Sequence, residues 1–222
     1  STMEALYAGR SSAARIEQFD ASNLTTQIAC EVRDFDPTRA MDRKDAKRAD
    51  RFCQFAVAAA REALEQAQLP GTGVDPNRIG VILGSGIGGM DTYEKQHTIL
   101  LEKGPARVSP FFVPMMISDM APGLVSMQFG LKGPNFSAVS ACASAANAIG
   151  TAFLLIQAGH ADAMVTGGSE LFEGKLIDVE RRTVGGFARG ELRAEGLGRY
   201  AGAWLRIAFQ NENLVAWRRG AD

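Results

Sequence analysis

Short apolar runs alternate with stretches in which apolar residues recur at every third or fourth position over the first 170 residues. Between Asp45 and Gln68 this spacing brings Phe52, Val57 and Leu64 to one face, which predicts a long amphipathic helix. A continuous apolar run instead predicts a strand buried on both sides. The predicted helices cover residues 2–9, 45–68, 90–103, 123–129 and 144–158, and the predicted strands cover residues 79–84, 135–141 and 161–166. This alternation predicts a layered α/β fold whose sheet is covered on both faces.

The pattern changes after Glu170, where arginine becomes frequent and glycines separate short extended runs. The four runs are Lys175–Glu180, Glu191–Glu195, Trp204–Gln210 and Leu214–Trp217. They predict a small antiparallel meander with no amphipathic helix. The chain is therefore divided into an α/β domain, residues 1–170, and a β-rich carboxyl-terminal segment, residues 171–222.

Composition narrows the classes of function. The 222 residues carry 24 basic and 25 acidic side chains, a net charge of −1, which gives no electrostatic reason to expect a nucleic-acid partner. No stretch approaches the roughly 18 apolar residues needed to cross a bilayer, so we expect no membrane insertion. The three cysteines are too few and too scattered for a disulfide framework or a zinc site, and no cofactor or metal is expected. These observations predict a cytoplasmic protein, and the first residues read as the interior of a helix, as in a truncated chain.

Cys142 is the candidate nucleophile. It stands between a predicted strand and a predicted helix of small residues, where unpaired backbone N–H groups and the helix dipole favour a thiolate. The same N–H groups can stabilise an oxyanion formed on attack at an acyl carbonyl. A free cysteine is also a common buried apolar residue, and position alone does not decide between these two interpretations. Cys30 and Cys53 are assigned the structural role, the latter because it lies on the core face of its helix.

The glycine-rich segment 84–89 invites comparison with a phosphate-binding loop. It follows a predicted strand and precedes a predicted helix, but it lacks the Lys-Ser/Thr pair of a P-loop. Close backbone packing is the better explanation, and we do not expect nucleotide binding.

Five motifs carry a family resemblance. They are GSGIGGM (84–90), LLEKGPARVSPFFVPMMISDMAPG (100–123), FGLKGPN (129–135), VSACASAANAIG (139–150) and ADAMVTGGSE (161–170). In order and spacing they resemble the chain-elongating β-ketoacyl-[acyl-carrier-protein] synthases, and most closely the synthase II class. The resemblance implies an incomplete, thiolase-like half-fold and acyl transfer from acyl carrier protein to Cys142. A malonyl extender would then be decarboxylated and condensed with that acyl group.

The resemblance also implies roles for other residues. Ile87 matches a side chain that lines the acyl pocket, and Phe112 matches a residue that reaches the partner subunit's pocket in a homodimer. The apolar loop 109–120 would help to form that dimer interface, with ordinary core packing as the alternative. The strand 135–141 would pair with its symmetry mate, and the partners would be a second copy of the chain and acyl carrier protein.

The sequence also departs from the family. Condensation in the family uses two histidines of its carboxyl-terminal half, whereas His97 and His160 fall outside those motifs and are predicted to be exposed or capping residues. Residues 171–222 resemble a segment of the S-methyl thiohydantoin desulfurases. These observations predict an acyltransferase of fatty-acid elongation or, alternatively, a non-catalytic truncated or chimeric fragment that acts only as a folding or dimerisation module. A hydantoin-related activity in the tail is the weakest hypothesis, since no metal or base constellation supports it.

Overall fold

A computed structural model describes residues 2–71, 73–171 and 214–218 of the chain. The described residues fall into two compact units, one containing residues 2–36 and the other containing residues 37–171 together with 214–218. The first unit holds one short helix and a two-stranded antiparallel ladder that pairs Ala14 with Ala29 and Arg15 with Ile28. The second unit contains Cys142, and the candidate site is therefore built within it.

The elements are numbered along the chain. The α-helices are α1 (Thr2–Tyr7), α2 (Arg43–Ala46), α3 (Arg51–Ala67), α4 (Met90–Lys103), α5 (Phe112–Met116), α6 (Met120–Phe129) and α7 (Ser144–Gln157). The strands are β1 (Ala14–Arg15), β2 (Ile28–Ala29), β3 (Ile79–Gly84), β4 (Asn135–Ala138), β5 (Ala163–Gly168) and β6 (Leu214–Arg218). Within the described ranges, no helix is long and apolar enough to span a bilayer.

Strands β4, β3, β5 and β6 form one sheet in that order. β3 runs parallel to both β4 and β5, with Val81 opposite Asn135 and Gly84 opposite Gly168, while β6 runs antiparallel to β5. The carboxyl ends of the three parallel strands therefore meet at one edge of the sheet. This edge is where ligand sites of open α/β sheets form.

Both faces of the sheet are covered, as the sequence predicts. Alternate residues of β3 point in opposite directions, so Val81 and Leu83 join a core cluster with α3 and α6, whereas Ile82 packs with α7. Helix α3 contributes Phe52, Val57 and Leu64 to the first cluster, and α7 contributes Ala148, Ala152 and Ile156 to the second. The layered α/β arrangement is confirmed.

Several predicted boundaries differ from the structure. The long helix begins at Arg51 rather than Asp45, because the Asp50 side chain accepts from the backbone N–H of Phe52 and caps α3 there. The segment 109–120, which the sequence presents as a loop, contains the whole of α5 and the first residue of α6. β5 extends to Gly168, so the glycine pair 167–168 belongs to the strand instead of ending it.

The prediction that 135–141 is a buried strand is wrong. β4 ends at Ala138, and its only partner among the described strands is β3, so one side of it is open. Asn135 is exposed and Phe136 keeps 38% of its surface exposed. The run Leu214–Trp217 is extended as predicted and pairs with β5, whereas the other three predicted tail runs lie outside the described residues.

Candidate functional site

Cys142 lies in the sharp turn that joins β4 to α7. A single 3-10 turn, Ala141–Ala143, separates the two elements, and Cys142 at its centre is exposed to solvent. Ala141 adopts a φ of 51°, a left-handed conformation that non-glycine residues rarely take. Such strain persists only where surrounding contacts enforce it, and it is concentrated at functional sites. We call residues 140–144 the elbow.

Ser144, a residue to which the sequence assigned no role beyond its small size, holds the elbow together. Its hydroxyl accepts a hydrogen bond from the Ser140 backbone N–H at 2.9 Å and donates one to the Ala141 carbonyl at 2.7 Å. Asn147, one turn along α7, donates from its amide nitrogen to the Ser140 hydroxyl at 2.5 Å. Ser144 itself is buried, and its two hydrogen bonds fix the turn that presents Cys142.

Two glycines at the carboxyl ends of β3 and β5 let α7 approach the sheet. Gly84 and Gly168 lie side by side in register. A Cβ at Gly84 would overlap the backbone carbonyl of Ser144, and a Cβ at Gly168 would lie 2.6 Å from the Cβ of Ala145. The first turn of α7 therefore rests directly on the sheet edge, and the close packing expected of the glycine cluster is confirmed at Gly84.

Ile87 lies in a turn that touches the elbow. The turn, residues 85–88, follows β3, and a Cβ at Gly86 would lie 3.5 Å from the Cα of Ala141. Ile87 itself is half-buried. The structure thus brings the turn that carries Ile87 to the residue that precedes Cys142.

Glu170 is a site residue that sequence reasoning missed. Its carboxylate accepts hydrogen bonds from the Ser85 hydroxyl at 3.2 Å, from the Ile87 backbone N–H at 3.3 Å and from the Gly86 backbone N–H. The signal in the sequence was its position two residues after β5, next to a glycine-rich turn that follows a neighbouring strand. Because parallel strands end at one edge, an acidic residue there can meet exposed amides of the adjacent turn.

Phe112 is the first residue of α5 and is half-buried. Its ring packs against Tyr93 of α4, with the centroids 6.3 Å apart, and Tyr93 in turn stacks on His97 at 6.0 Å. The Gly89 backbone N–H donates to the Met116 carbonyl at 2.8 Å, which joins α5 to the end of the glycine-rich segment. The structure therefore places Phe112 against α4, on the element that adjoins this segment.

Asp50 organises the far end of the glycine-rich segment. Besides capping α3, its carboxylate accepts from the Thr92 backbone N–H at 3.1 Å and from the Thr92 hydroxyl at 2.5 Å, and so caps α4 as well. Burial raises the pKa of this carboxyl, and the hydrogen bonds from Thr92 and Phe52 oppose the increase. One buried side chain thus fixes the start of two helices.

Cys53, His97 and His160 lie where the sequence predicts them, and Cys30 does not. Cys53 is fully buried, and burial raises the pKa of its thiol, with the nearby Asp50 carboxylate acting in the same direction. His97 and His160 are both exposed. Cys30 is an exposed free thiol in the first unit, so its assignment as a buried apolar residue is wrong. The core assignment of Cys53 and the exposed positions of the histidines are confirmed.

Comparison with sequence families gives a match over residues 1–198 to the family described as "Beta-ketoacyl synthase, N-terminal domain". The chain belongs to this β-ketoacyl synthase family. It is 50% identical over 167 residues to a 3-oxoacyl-[acyl-carrier-protein] synthase 2 of Synechocystis sp., and 51% identical over 156 residues to one of Staphylococcus aureus. These stretches are 75% and 70% of this chain but 40% and 38% of the two relatives. The chain therefore spans about 40% of the length of the curated relatives that it matches.

Solved ketosynthases share the fold. A β-ketoacyl synthase from Burkholderia phymatum superposes with a TM-score of 0.72 at 25% identity, covering 97% of this chain and 54% of that one. The ishigamide ketosynthase/chain length factor gives a TM-score of 0.76 at 22% identity over 97% of this chain and 53% of that one. The predicted thiolase-like, incomplete α/β fold and the resemblance to the synthase II class are thus confirmed. The resemblance of residues 171–222 to a desulfurase and the boundary at residue 170 stay predictions.

Proposed function

We propose that this β-ketoacyl synthase chain accepts acyl groups from acyl carrier protein on Cys142, as the first half-reaction of fatty-acid chain elongation. The observation that carries the proposal is the exposed Cys142 thiol, held in a strained turn immediately before the amino terminus of α7. The first N–H groups of a helix lack intrahelical partners, and the helix dipole stabilises negative charge there. An exposed thiol at such a position is suited to nucleophilic attack.

The acylation step exchanges one thioester for another. The Cys142 thiol loses its proton, and its sulfur attacks the carbonyl carbon of the acyl group on the carrier. We propose that backbone N–H groups of the turn around Cys142 stabilise the oxyanion that forms. The bond between the acyl carbon and the carrier sulfur then breaks, and the carrier sulfur takes up a proton. Cys142 is left as an acyl thioester.

Condensation belongs to the complete enzyme. A malonyl group loses carbon dioxide, its enolate carbon attacks the Cys142 thioester, and the Cys142 sulfur leaves. The resemblance assigns stabilisation of the enolate to two histidines of the family's carboxyl-terminal half. His97 and His160 of this chain lie on α4 and just after α7, and both are exposed. We therefore propose that this chain by itself performs acylation and does not perform condensation.

The acyl chain would extend past the turn that carries Ile87. Support comes from the approach of Gly86 in that turn to Ala141, next to Cys142, and from the half-burial of Ile87 in the same turn. Phe112 would line the pocket of the partner subunit. Its position on α5, the helix hydrogen-bonded to the end of the glycine-rich segment, is compatible with that role. These pocket assignments rest on the family resemblance and define where a longer acyl chain would be sensed.

The proposed partners are acyl carrier protein and a second copy of the chain, in the cytoplasm. A type II polyketide synthase acyl-carrier protein has been solved in complex with its ketosynthase, a protein of TM-score 0.65 to this chain over 84% of this chain and 52% of that one. The open side of β4 leaves Phe136 and Val139 partly exposed, at 38% and 62%, as an edge that a second β4 could cover. Self-association without catalysis is the second candidate function, and this edge is the observation that favours it. The free thiols of Cys30, Cys53 and Cys142 support a reducing compartment.

Acylation can be tested directly on the chain. After incubation with hexadecanoyl-acyl carrier protein, we expect the peptide that contains Cys142 to gain the mass of one hexadecanoyl group, which hydroxylamine removes. Cys142→Ala should abolish the gain, whereas Cys30→Ala, which deletes another exposed thiol, should leave it intact. A folded chain that dimerises but leaves Cys142 unmodified would refute the acyltransferase and favour the self-association module.

A further inference from the structure

The segment that follows β5 is hydrogen-bonded to the end of β3 and to the turn that follows β3. The Ser169 backbone N–H donates to the Gly84 carbonyl at 3.0 Å, and the Ser169 hydroxyl donates to the Phe52 carbonyl at 2.7 Å. Ser169 is thereby tied to both β3 and α3. These two hydrogen bonds hold the backbone next to Glu170, and the Glu170 carboxylate faces the turn 85–88 from that position.

The Glu170 carboxylate binds three donors of that turn, namely the Ser85 hydroxyl and the Gly86 and Ile87 backbone N–H groups. The Ser85 hydroxyl also accepts from the Gly88 backbone N–H at 3.1 Å, which closes the turn on itself. Hydrogen bonds to a charged acceptor are stronger than those between neutral groups. A single carboxylate therefore ties together the consecutive polar groups that shape the turn.

Gly86 is sandwiched between this carboxylate and the elbow. A Cβ on Gly86 would lie 3.0 Å from a Glu170 carboxylate oxygen on one side and 3.5 Å from the Ala141 Cα on the other. Gly86 therefore lies between the Glu170 carboxylate and Ala141, the residue before Cys142. Ile87, the next residue, has its backbone held by the same carboxylate.

We propose that Glu170 is a positioning residue that sets the acyl-chain selectivity of Cys142 by holding the turn that carries Ile87. This inference rests on the proposed acyltransferase function and gives Glu170, the last residue of the motif 161–170, a role that the acylation chemistry does not require. Glu170 does not touch the reacting atoms. It acts through Gly86 and Ile87, whose N–H groups would otherwise be free to reorient.

Chain-length selectivity is the functional readout. Wild type, Glu170→Ala and Glu170→Gln are acylated with hexanoyl-, decanoyl- and hexadecanoyl-acyl carrier protein, and Cys142 modification is followed by mass. We expect Glu170→Ala to change the ratio of hexadecanoyl to hexanoyl rates by about tenfold, a size typical of a lost charge-assisted contact. Glu170→Gln, which keeps an acceptor oxygen, should recover part of the wild-type ratio. Added acetate should restore selectivity to Glu170→Ala, because a carboxylate can reoccupy the amide donors.

Amide hydrogen exchange gives a readout that does not depend on acylation. In Glu170→Ala the Gly86 and Ile87 amides should exchange about tenfold faster or more, as expected when a local hydrogen bond is lost. The matched control is Glu65→Ala, which removes an exposed carboxylate from the last turns of α3 and should alter neither exchange nor selectivity.

The two readouts separate the two proposals. If wild-type Cys142 is acylated but Glu170→Ala keeps the wild-type chain-length ratio, Glu170 has no positioning role and the acyltransferase function stands. If wild-type Cys142 is not acylated, the acyltransferase function fails, and unchanged amide exchange in Glu170→Ala would also remove the proposed hold on the turn. Should Glu170→Ala fail to fold, the comparison is made with Glu170→Gln, which should show a smaller change than expected for Glu170→Ala. An unchanged chain-length ratio together with unchanged exchange of the Gly86 and Ile87 amides would then count against the proposal.

Discussion

Cys53 and Cys142 both lie beside the amino terminus of a helix, and their surroundings differ in every other respect. Cys53 is the third residue of α3, fully buried in the cluster between that helix and the sheet. Cys142 comes two residues before α7 and is exposed at the carboxyl edge of the sheet. Burial and the Asp50 carboxylate raise the pKa of the Cys53 thiol. A helix amino terminus therefore does not by itself make a reactive thiol.

What distinguishes the Cys142 region is backbone geometry that keeps the thiol outside the core. The left-handed Ala141, the Ser144 hydroxyl and the two glycines under α7 force a sharp turn at the sheet edge. In α3, by contrast, the chain enters the helix smoothly after the Asp50 cap, and Cys53 turns inward with the apolar face. Reactivity is therefore decided by the turn, and changes to either region should alter the two thiols differently.

The strongest effect we expect is the difference in alkylation between the two thiols. Iodoacetamide should modify Cys142 in the folded chain at least about a thousandfold faster than Cys53, because Cys53 reacts only in the rare open or unfolded molecules, a fraction of about 10⁻³ or less. Mass analysis of digested peptides over time measures both rates in one sample. In urea, as the control, the difference should disappear. Equal rates in the folded chain would contradict the distinction between the two cysteines.

Gly84→Ala should disrupt the elbow by adding a methyl group between β3 and the first turn of α7. The new Cβ would overlap the Ser144 carbonyl, so we expect a loss of about 2–3 kcal/mol in the free energy of unfolding, as for an overpacked core. The displaced turn should also change the alkylation rate of Cys142 and leave Cys53 protected. Urea denaturation measures the stability. Gly150→Ala in α7 is the control, since nothing lies within 4 Å of its Cβ position, and it should stabilise the helix by about 0.5–1 kcal/mol.

Ser144→Ala should loosen the elbow without adding bulk. It removes the two hydrogen bonds that the buried hydroxyl makes with Ser140 and Ala141, which should cost about 1–2 kcal/mol. We also expect a change in the rate of Cys142 alkylation, measured alongside the urea midpoint. Thr151→Ala deletes an exposed hydroxyl that bonds to the Asn147 carbonyl in the same helix, and it should change stability by less than about 0.5 kcal/mol. If both variants behaved alike, the elbow would not depend on Ser144.

The weakest effect we expect is a pH dependence of the free energy of unfolding that is caused by Asp50, the carboxyl group near Cys53. The pKa of Asp50 is raised by burial in the folded chain, so the folded state holds the proton more tightly than the unfolded state. The contribution of Asp50 to stability is therefore largest below its unfolded pKa of about 4 and declines as the pH rises through the folded pKa. The urea midpoint of wild type minus that of Asp50→Asn should therefore be largest at low pH, and it should shrink or change sign as the pH is raised. A difference that stays constant with pH would show that Asp50 does not titrate differently on folding.

The sequence predicted the elements that have strong local patterns. The helix 90–103 and the strand 79–84 match α4 and β3 in full, because a continuous apolar run and a glycine boundary specify them locally. The length and burial of the edge strand were overestimated, since residues 135–141 mix polar and apolar side chains and do not show whether one or both sides of the strand are covered. Its end at Ala138 is set by the strained turn that follows.

The amino-acid sequence alone was enough to establish the family, the α/β class and Cys142 as the candidate nucleophile, because motifs and periodicity are local properties of the chain. The contact of Glu170 with the turn 85–88 and the packing of Ser144 on Gly84 became evident only in the folded molecule. Both contacts join residues that are far apart in sequence, and they exist because the parallel strands β3, β4 and β5 end in register at one edge. Strand order and register follow from the packing of the whole sheet against its helices, and no local pattern encodes them.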